Sequence, residues 1–138
     1  MERMVATMRQ LLGVGLIGET RFGARASRDG GAISVVLRGH ADVTAVPTLG
    51  RLLQDVHNEA IDARIAEVRV DFRSLEFMNS SCLKCFVTWL NSLQQTETGR
   101  QYRVRFVSDG AKAWQARSLP ALSAFAGDLV KIETSAPA

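Results

Sequence analysis

The sequence predicts a single α/β domain, in which a mixed sheet of four or five strands carries helices mainly on one face. A length of 138 residues suits one domain with a hydrophobic core. Strand-like and helix-like segments follow the order β-β-α-β-α-β-α-β, which is typical of parallel strands joined by helices. Charged residues occupy every second position of two central strands: Arg69, Asp71, Arg103 and Arg105. Strands that are buried on both faces are continuous apolar runs instead, so the alternation argues against a dinucleotide-binding fold and predicts one sheet face open to water or a partner.

The first two strands are predicted to form a hairpin. Apolar side chains alternate over residues 22–26, which indicates an edge strand. Residues 28–31, Arg-Asp-Gly-Gly, are a strong turn signal. Residues 33–38 are rich in β-branched side chains and predict the second strand, which we expect Gly39 to end.

A first helix is predicted over residues 46–62. Asp42 and Thr44 are candidate caps ahead of it, and Pro47 suits its first turn. Apolar residues then recur at helical spacing: Val46, Leu49, Leu52, Leu53, Val56 and Ala60.

The middle of the chain predicts a strand, a tight polar turn and a buried helix. Residues 68–72 alternate between apolar and charged side chains, and a polar turn is expected from Glu76 onward. The apolar run over residues 83–93 is dense enough to require a largely buried helix.

The last third of the chain predicts one more helix between two strands. Residues 102–106 repeat the earlier alternation, and residues 129–133 predict the final strand. Asp109 is expected to cap a helix that runs through Trp114, and Pro120 is expected to interrupt that helix.

The predicted domain does not fill the whole chain. We expect residues 1–18 to be an N-terminal extension, residues 19–134 to form the domain and residues 135–138 to be a tail. The apolar stretch over residues 11–17 is short and broken by glycine, so a mobile extension or a start codon placed too early explains it better than a signal peptide. Two closely spaced cysteines suit a reducing cytoplasm, and no apolar run is long enough to predict a membrane span.

No catalytic or cofactor-binding pattern emerges from the sequence. The two histidines, His40 and His57, are not part of a metal-spaced cluster, and neither a phosphate-binding loop nor a nucleophile elbow is present. The net charge is +3, but the basic residues are scattered singly, which does not indicate nucleic-acid binding. We therefore expect a non-enzymatic protein that needs no cofactor.

The start of the buried helix is the segment that says most about function. Asn79, Ser80 and Ser81 are all N-cap residue types, so a serine hydroxyl should lie at the electropositive end of the helix, where a phosphate is tolerated. On local chemistry alone, a plain helix cap is the simpler interpretation. Cys82-Leu-Lys-Cys85 offers an alternative, because this spacing at a helix start is found in thiol-disulfide proteins. Packing of two small apolar side chains in a buried helix explains the same pair.

The segment Phe77-Met-Asn-Ser-Ser-Cys-Leu83 resembles the Phe-Met-Asp-Ser-Ser-Gly-Leu-like turn of the STAS domain family, which sulfate transporters and bacterial anti-sigma-factor antagonists share. The strand over residues 68–73 is similar to the family strand that ends in Asp-Leu, and Gly39-His-Ala-Asp42 is similar to the family's Gly-x-Leu-Asp. The resemblance covers about residues 31–133 and implies a STAS-like fold.

The resemblance also implies an antagonist-like interaction module in a bacterial partner-switching pathway. In the family's antagonists, the serine after the aspartate is phosphorylated by an anti-sigma factor with serine-kinase activity, and the unphosphorylated form binds that partner and frees the sigma factor. The matching residue is Ser80, and Ser81 is the second family serine. The implied partner is an anti-sigma factor or serine kinase of the histidine-kinase-like ATPase type, which would hold the ATP. Asp42 and its loop, with Asn79, Ser81 and Cys82, would border the docking surface.

Two departures from the family pattern keep a second hypothesis open. Asn79 stands where the family has aspartate, which removes a charge beside the acceptor, and Cys82 stands where the family has glycine. A switch-less STAS scaffold, or a subunit of a signalling or lipid-transport complex, is therefore the alternative; self-association is left open.

Overall fold

The computed structural model describes residues 22–135, which form a five-stranded sheet and three α-helices. The strands are β1 (Gly23–Asp29), β2 (Ala32–Ala41), β3 (Glu67–Met78), β4 (Arg103–Asp109) and β5 (Val130–Ser135). The helices are α1 (Val46–Asp62), α2 (Ser80–Gln95) and α3 (Ala113–Ser123). The predicted order of elements is confirmed. The predicted N-terminal extension lies outside the described residues, as do residues 136–138 of the predicted tail.

The strands lie in the sheet in the same order as in the chain. β1 and β2 are antiparallel, and every later pair of neighbours is parallel, so the sheet is mixed as predicted. The β1–β2 hairpin closes between Asp29 and Ala32. Gly30 adopts a φ of +60° in the turn, a conformation that costs glycine little.

The sheet is apolar on one face and charged on the other. Along β3, Val68, Val70 and Phe72 are fully buried in a core that they share with the three helices. The intervening Arg69 and Asp71 lie on the opposite face and are partly exposed. The prediction of a one-sided sheet, drawn from the alternation in the strands, is confirmed.

Phe72 occupies the centre of the core. Its ring lies 5.3 Å from Phe86 of α2, 5.2 Å from Phe106 of β4 and 6.3 Å from Trp114 of α3, measured between ring centroids. The two contacts with Phe106 and Trp114 are edge-on, a favoured geometry for aromatic pairs. One side chain thus links the middle strand to its neighbour and to two helices.

β2 and β3 are both longer than predicted. Gly39 does not end β2: it adopts a φ of +82° beside an irregularity in the β2–β3 register, and the strand continues to Ala41. In the continuation, His40 pairs with Phe77 and Ala41 with Met78. The polar turn that was expected from Glu76 onward is therefore strand up to Met78.

The third helix also differs from its prediction. Its N-cap is Lys112, whereas the carboxylate of Asp109 accepts hydrogen bonds from the backbone N–H of Ala111 and from Lys112 Nζ, both at 2.9 Å. Pro120 lies inside α3 and does not interrupt it. Leu119 and Leu122 on either side are buried, and this packing holds the final turn despite the missing backbone hydrogen bond.

The start of α3 replaces a missing strand partner for the second half of β3. β4 pairs with β3 only from Glu67 to Asp71. Beyond that point, carbonyls of β3 accept hydrogen bonds from α3 side chains: Gln115 Nε2 to Phe72 O (2.6 Å) and Leu75 O (3.1 Å), Lys112 Nζ to Arg73 O (2.9 Å), and Trp114 Nε1 to Leu75 O (3.1 Å). Because buried carbonyls need partners, α3 sets the position of the end of β3.

A buried tyrosine joins the far ends of α1 and α2. Trp89 Nε1 donates to Tyr102 Oη at 2.8 Å, and Tyr102 Oη lies 2.8 Å from His57 Nδ1. The indole N–H can only donate, so the tyrosine oxygen accepts from it, and the tyrosine hydrogen can then be donated to His57 when Nδ1 of that histidine is unprotonated. This arrangement requires a neutral His57, and burial lowers the pKa of that histidine.

We expect the free energy of unfolding to rise with pH in the range where His57 titrates. The pKa of His57 is below its ordinary value of 6.5 in the folded state, so the unfolded chain binds the proton first as the pH falls. The contribution of neutral His57 to the free energy of unfolding is complete above pH 6.5. It is lost as the pH falls from 6.5 toward the pKa of His57 in the folded state. Urea unfolding from about pH 7.5 to 5 measures this slope, and His57→Gln should flatten it. An unchanged slope in His57→Gln would contradict the assigned hydrogen bonds.

Candidate functional site

The candidate site is the corner where β2 and β3 end and α2 begins. The two strands are parallel neighbours with Ala41 opposite Met78, so the segments that follow them leave the sheet side by side. The backbone N–H of Asn79 donates to the carbonyl of Ala41 at 2.9 Å. Asp42 and the turn that starts at Asn79 are thereby brought together.

Asn79 forms the cap that shapes this corner. Its backbone is extended (φ −81°, ψ 173°), and its side-chain oxygen accepts the backbone N–H of Cys82 at 3.0 Å. This is the standard way to satisfy a free N–H in the first helical turn. Ser80 is the first residue of α2 and is exposed, whereas Ser81 is half-buried. A charge placed on Ser80 would therefore lie in solvent at the electropositive end of a helix.

The Asp42 loop is bonded to the same helical turn. The carboxylate of Asp42 accepts the backbone N–H of Thr44 at 2.9 Å and also the Thr44 hydroxyl, which caps the 3-10 turn Val43–Ala45. Cys82 Sγ donates to the carbonyl of Asp42 at 3.3 Å. Cys82 lies within the helix, so this position does not need the positive φ that glycine permits.

Two exposed apolar side chains flank the corner. Phe77 is 44% exposed and Val43 is 63% exposed, one at the end of each neighbouring strand. The Phe77 ring lies 6.5 Å from the ring of His40. Exposed apolar side chains next to a polar corner are available for contact with another protein. Sequence reasoning did not single out these two residues, because their exposure depends on the extensions of β2 and β3.

The cysteine pair has the wrong environment for thiol-disulfide chemistry. Cys82 and Cys85 are free thiols, and Cys82 is buried. Burial, with the nearby charges of Cys85 and Asp42, raises the pKa of Cys82 to about 11. Burial also raises the pKa of Cys85, whose Sγ lies 3.6 Å from the carbonyl of Ser81. Reactive cysteines have lowered pKa values, so this geometry favours a packing role for both.

Comparisons with known proteins identify the fold. Searches of protein-family models and of curated proteins find no match. The crystal structure of an anti-sigma factor antagonist from Mycobacterium paratuberculosis is similar with a TM-score of 0.61 and 15% sequence identity, over 86% of this chain and 90% of that chain. The NMR structure of the protein TM1081 is similar with a TM-score of 0.56 and 15% identity, over 80% of this chain and 79% of that chain.

The chain therefore has the same fold as this anti-sigma factor antagonist. This agrees with the fold implied by the segment from Phe77 to Leu83. Across residues 22–135, each helix falls short of the length or apolarity that crossing a bilayer requires.

Proposed function

We propose that this protein is an anti-sigma-factor antagonist-like interaction module of a bacterial partner-switching pathway, and that phosphorylation of Ser80 regulates its binding. It would act in the cytoplasm, without catalysis of its own and without a cofactor. The observation that carries the proposal is the exposed Ser80 at the capped start of α2, on a fold shared with an antagonist.

The proposed partner is an anti-sigma factor or serine kinase of the histidine-kinase-like ATPase type, which would bind the ATP. Its contact surface on this chain would be the corner already described: Ser80, the exposed apolar side chains of Val43 and Phe77, and the Asp42 loop at the border. The apolar pair would supply the buried contact, and the polar groups would form its rim.

Phosphorylation would change docking without disturbing the fold. A phosphate adds about −1.5 to −2 charges at neutral pH. At the first residue of α2 this charge is favoured by the helix dipole and solvated in the free protein. In the complex the same phosphate would lie beside Phe77 and Val43, where losing its water is costly. The modified form should therefore release the partner.

The test compares binding of three variants to the kinase partner retrieved with the native protein. We expect Ser80→Ala to bind like the native chain and Ser80→Asp to bind at least about tenfold more weakly, since one desolvated charge costs more than 1.4 kcal/mol. Ser92→Asp, near the other end of α2, is the matched control and should bind normally. Equal binding by all three variants would contradict regulation of binding by phosphorylation of Ser80.

A switch-less STAS subunit of a signalling or lipid-transport complex is the second candidate. Asn79 favours it, because an amide replaces the charged residue that precedes the phosphorylated serine in the family's antagonists. This candidate predicts that Ser80→Asp leaves assembly with the partner unchanged and that no kinase is retrieved with the protein.

A further inference from the structure

The face of the sheet that the helices leave open is charged, and it is called the outer sheet face here. Its outward strand positions carry seven basic side chains: Arg25, Arg38, Arg69, Arg73, Arg103, Arg105 and Lys131. They also carry five acidic ones: Asp29, Glu67, Asp71, Glu76 and Glu133. Asp109 is not counted, because it is buried and bonded to Lys112. The seven basic and five acidic side chains leave an excess of two positive charges on this face, which is most of the net charge of the chain, +3.

Three of the seven basic side chains form one row across β3, β4 and β5. Arg69 lies opposite Arg105, and Arg105 lies opposite Lys131. Neighbouring strands are about 4.8 Å apart, so like charges in this register repel each other and destabilise the sheet. Glu67 and Glu133 offset the repulsion through contacts of 3.1 Å each with Arg105.

These ion pairs do little for the stability of the fold. Arg105 and Glu133 are both 42% exposed in their side chains, and the Arg69–Glu133 contact is long, at 4.0 Å. Exposed pairs of this kind contribute about 0–1 kcal/mol. Carboxylates of another molecule would therefore replace Glu67 and Glu133 at small cost.

We propose that the outer sheet face docks an acidic protein surface, whose carboxylates bind the row formed by Arg69, Arg105 and Lys131. Guanidinium groups bind carboxylates in a planar, two-pronged geometry, which suits the two arginines of the row. The row crosses the Glu67–Asp71 half of β3, whereas Phe77 and the turn to Ser80 lie at the other end of that strand, so the two partners would contact different parts of the chain.

The composition of the outer sheet face favours a protein over other anionic partners. Around the row, the outward positions of residues 67–71 of β3 and of β4 and β5 include no aromatic side chain on which bases could stack. The large exposed apolar residues of the face are Val36, 40% exposed, and Phe77, 44% exposed at the Met78 end of β3, and two such side chains are too little to insert into a bilayer.

The test measures binding of the full chain to poly-L-glutamate at low salt. The triple variant Arg69→Ala, Arg105→Ala, Lys131→Ala should bind at least about tenfold more weakly than the native chain. The matched control Arg51→Ala, Arg64→Ala, Arg117→Ala removes the same charge from exposed positions off the face and should bind within about twofold of the native chain. Lys131→Glu alone, on the edge strand, should also weaken binding, which guards against misfolding of the triple variant.

Three results would overturn the proposal. The first is no binding of poly-L-glutamate by the native chain at low salt, where charge attraction is strongest. The second is an equal loss of binding in the two triple variants, which would indicate net charge alone. The third is tighter binding of oligothymidylate, or of phosphatidylserine vesicles, than of poly-L-glutamate.

Discussion

Replacing Phe72 by alanine is expected to lower the free energy of unfolding by about 3–5 kcal/mol, the range for a buried phenylalanine truncated in a core. The ring is fully buried and contacts Phe86, Phe106 and Trp114, so its removal leaves a cavity between β3, β4 and two helices. Because total stabilities of domains are about 5–15 kcal/mol, the variant should be partly unfolded or close to it. Urea unfolding followed by circular dichroism measures the loss.

Phe77→Ala and Phe125→Ala are the matched controls for this loss. Both rings are about half exposed, at 44% and 50%. Their removal should change the free energy of unfolding by no more than about 0.5–1 kcal/mol, as for surface substitutions. A loss in Phe77→Ala as large as in Phe72→Ala would mean that the assignment of inward and outward positions along β3 is wrong.

Replacing Gln115 by leucine is expected to cost about 2–4 kcal/mol of stability, since each buried polar group left without a partner costs about 1–3 kcal/mol. The Gln115 side chain is 1% exposed and bonds the carbonyls of Phe72 and Leu75 as well as the backbone N–H of Asp109. Leucine fills similar space but leaves the Phe72 carbonyl and the Asp109 N–H without these bonds. Gln94→Leu, at an exposed position of α2, is the control and should be nearly neutral.

The Gln115 variant should also loosen the candidate site specifically. Gln115 holds the half of β3 that leads into Asn79, so amide hydrogen exchange near Asn79 and Cys82 should speed up more than exchange in the middle of α1. A uniform change across the domain would instead show that Gln115 contributes only to global stability.

Much of this fold is predictable because its signals are local. The apolar stripe and Pro47 place α1 at Val46–Asp62, the same limits that the pattern predicts. The hairpin turn and the one-sided strands follow from residue types and alternation in the same way. Each of these signals is contained in a few neighbouring residues.

The mistaken details depend on contacts between distant segments. Gly39 is a strand-ending residue by type, but pairing of the following residues with Phe77 and Met78 extends β2 through a bulge. Pro120 breaks helices by type, but packing of buried leucines on either side carries α3 past it. Propensity is a weak predictor where tertiary packing decides.

The residues of the candidate site show the same difference between local signals and contacts of distant segments. Asn79 and Ser80 are visible in the sequence, because caps and the STAS-like motif lie within one short segment. Val43 and Phe77 are not, since their exposure beside Ser80 follows from the ends of two paired strands. The role of Gln115 is equally hidden, because the two carbonyls that it bonds, of Phe72 and Leu75, are about 40 residues away in the chain.

Mass spectrometry of the protein isolated from its native cells tests the central proposal most directly. Cleavage after Arg73 and Lys84 releases one peptide, residues 74–84, that contains Ser74, Ser80 and Ser81. We predict a phosphorylated fraction with the phosphate on Ser80, assigned by fragmentation between Asn79, Ser80 and Ser81. A peptide that carries phosphate only on Ser74 or Ser81, or none under any growth or stress condition, would contradict the account.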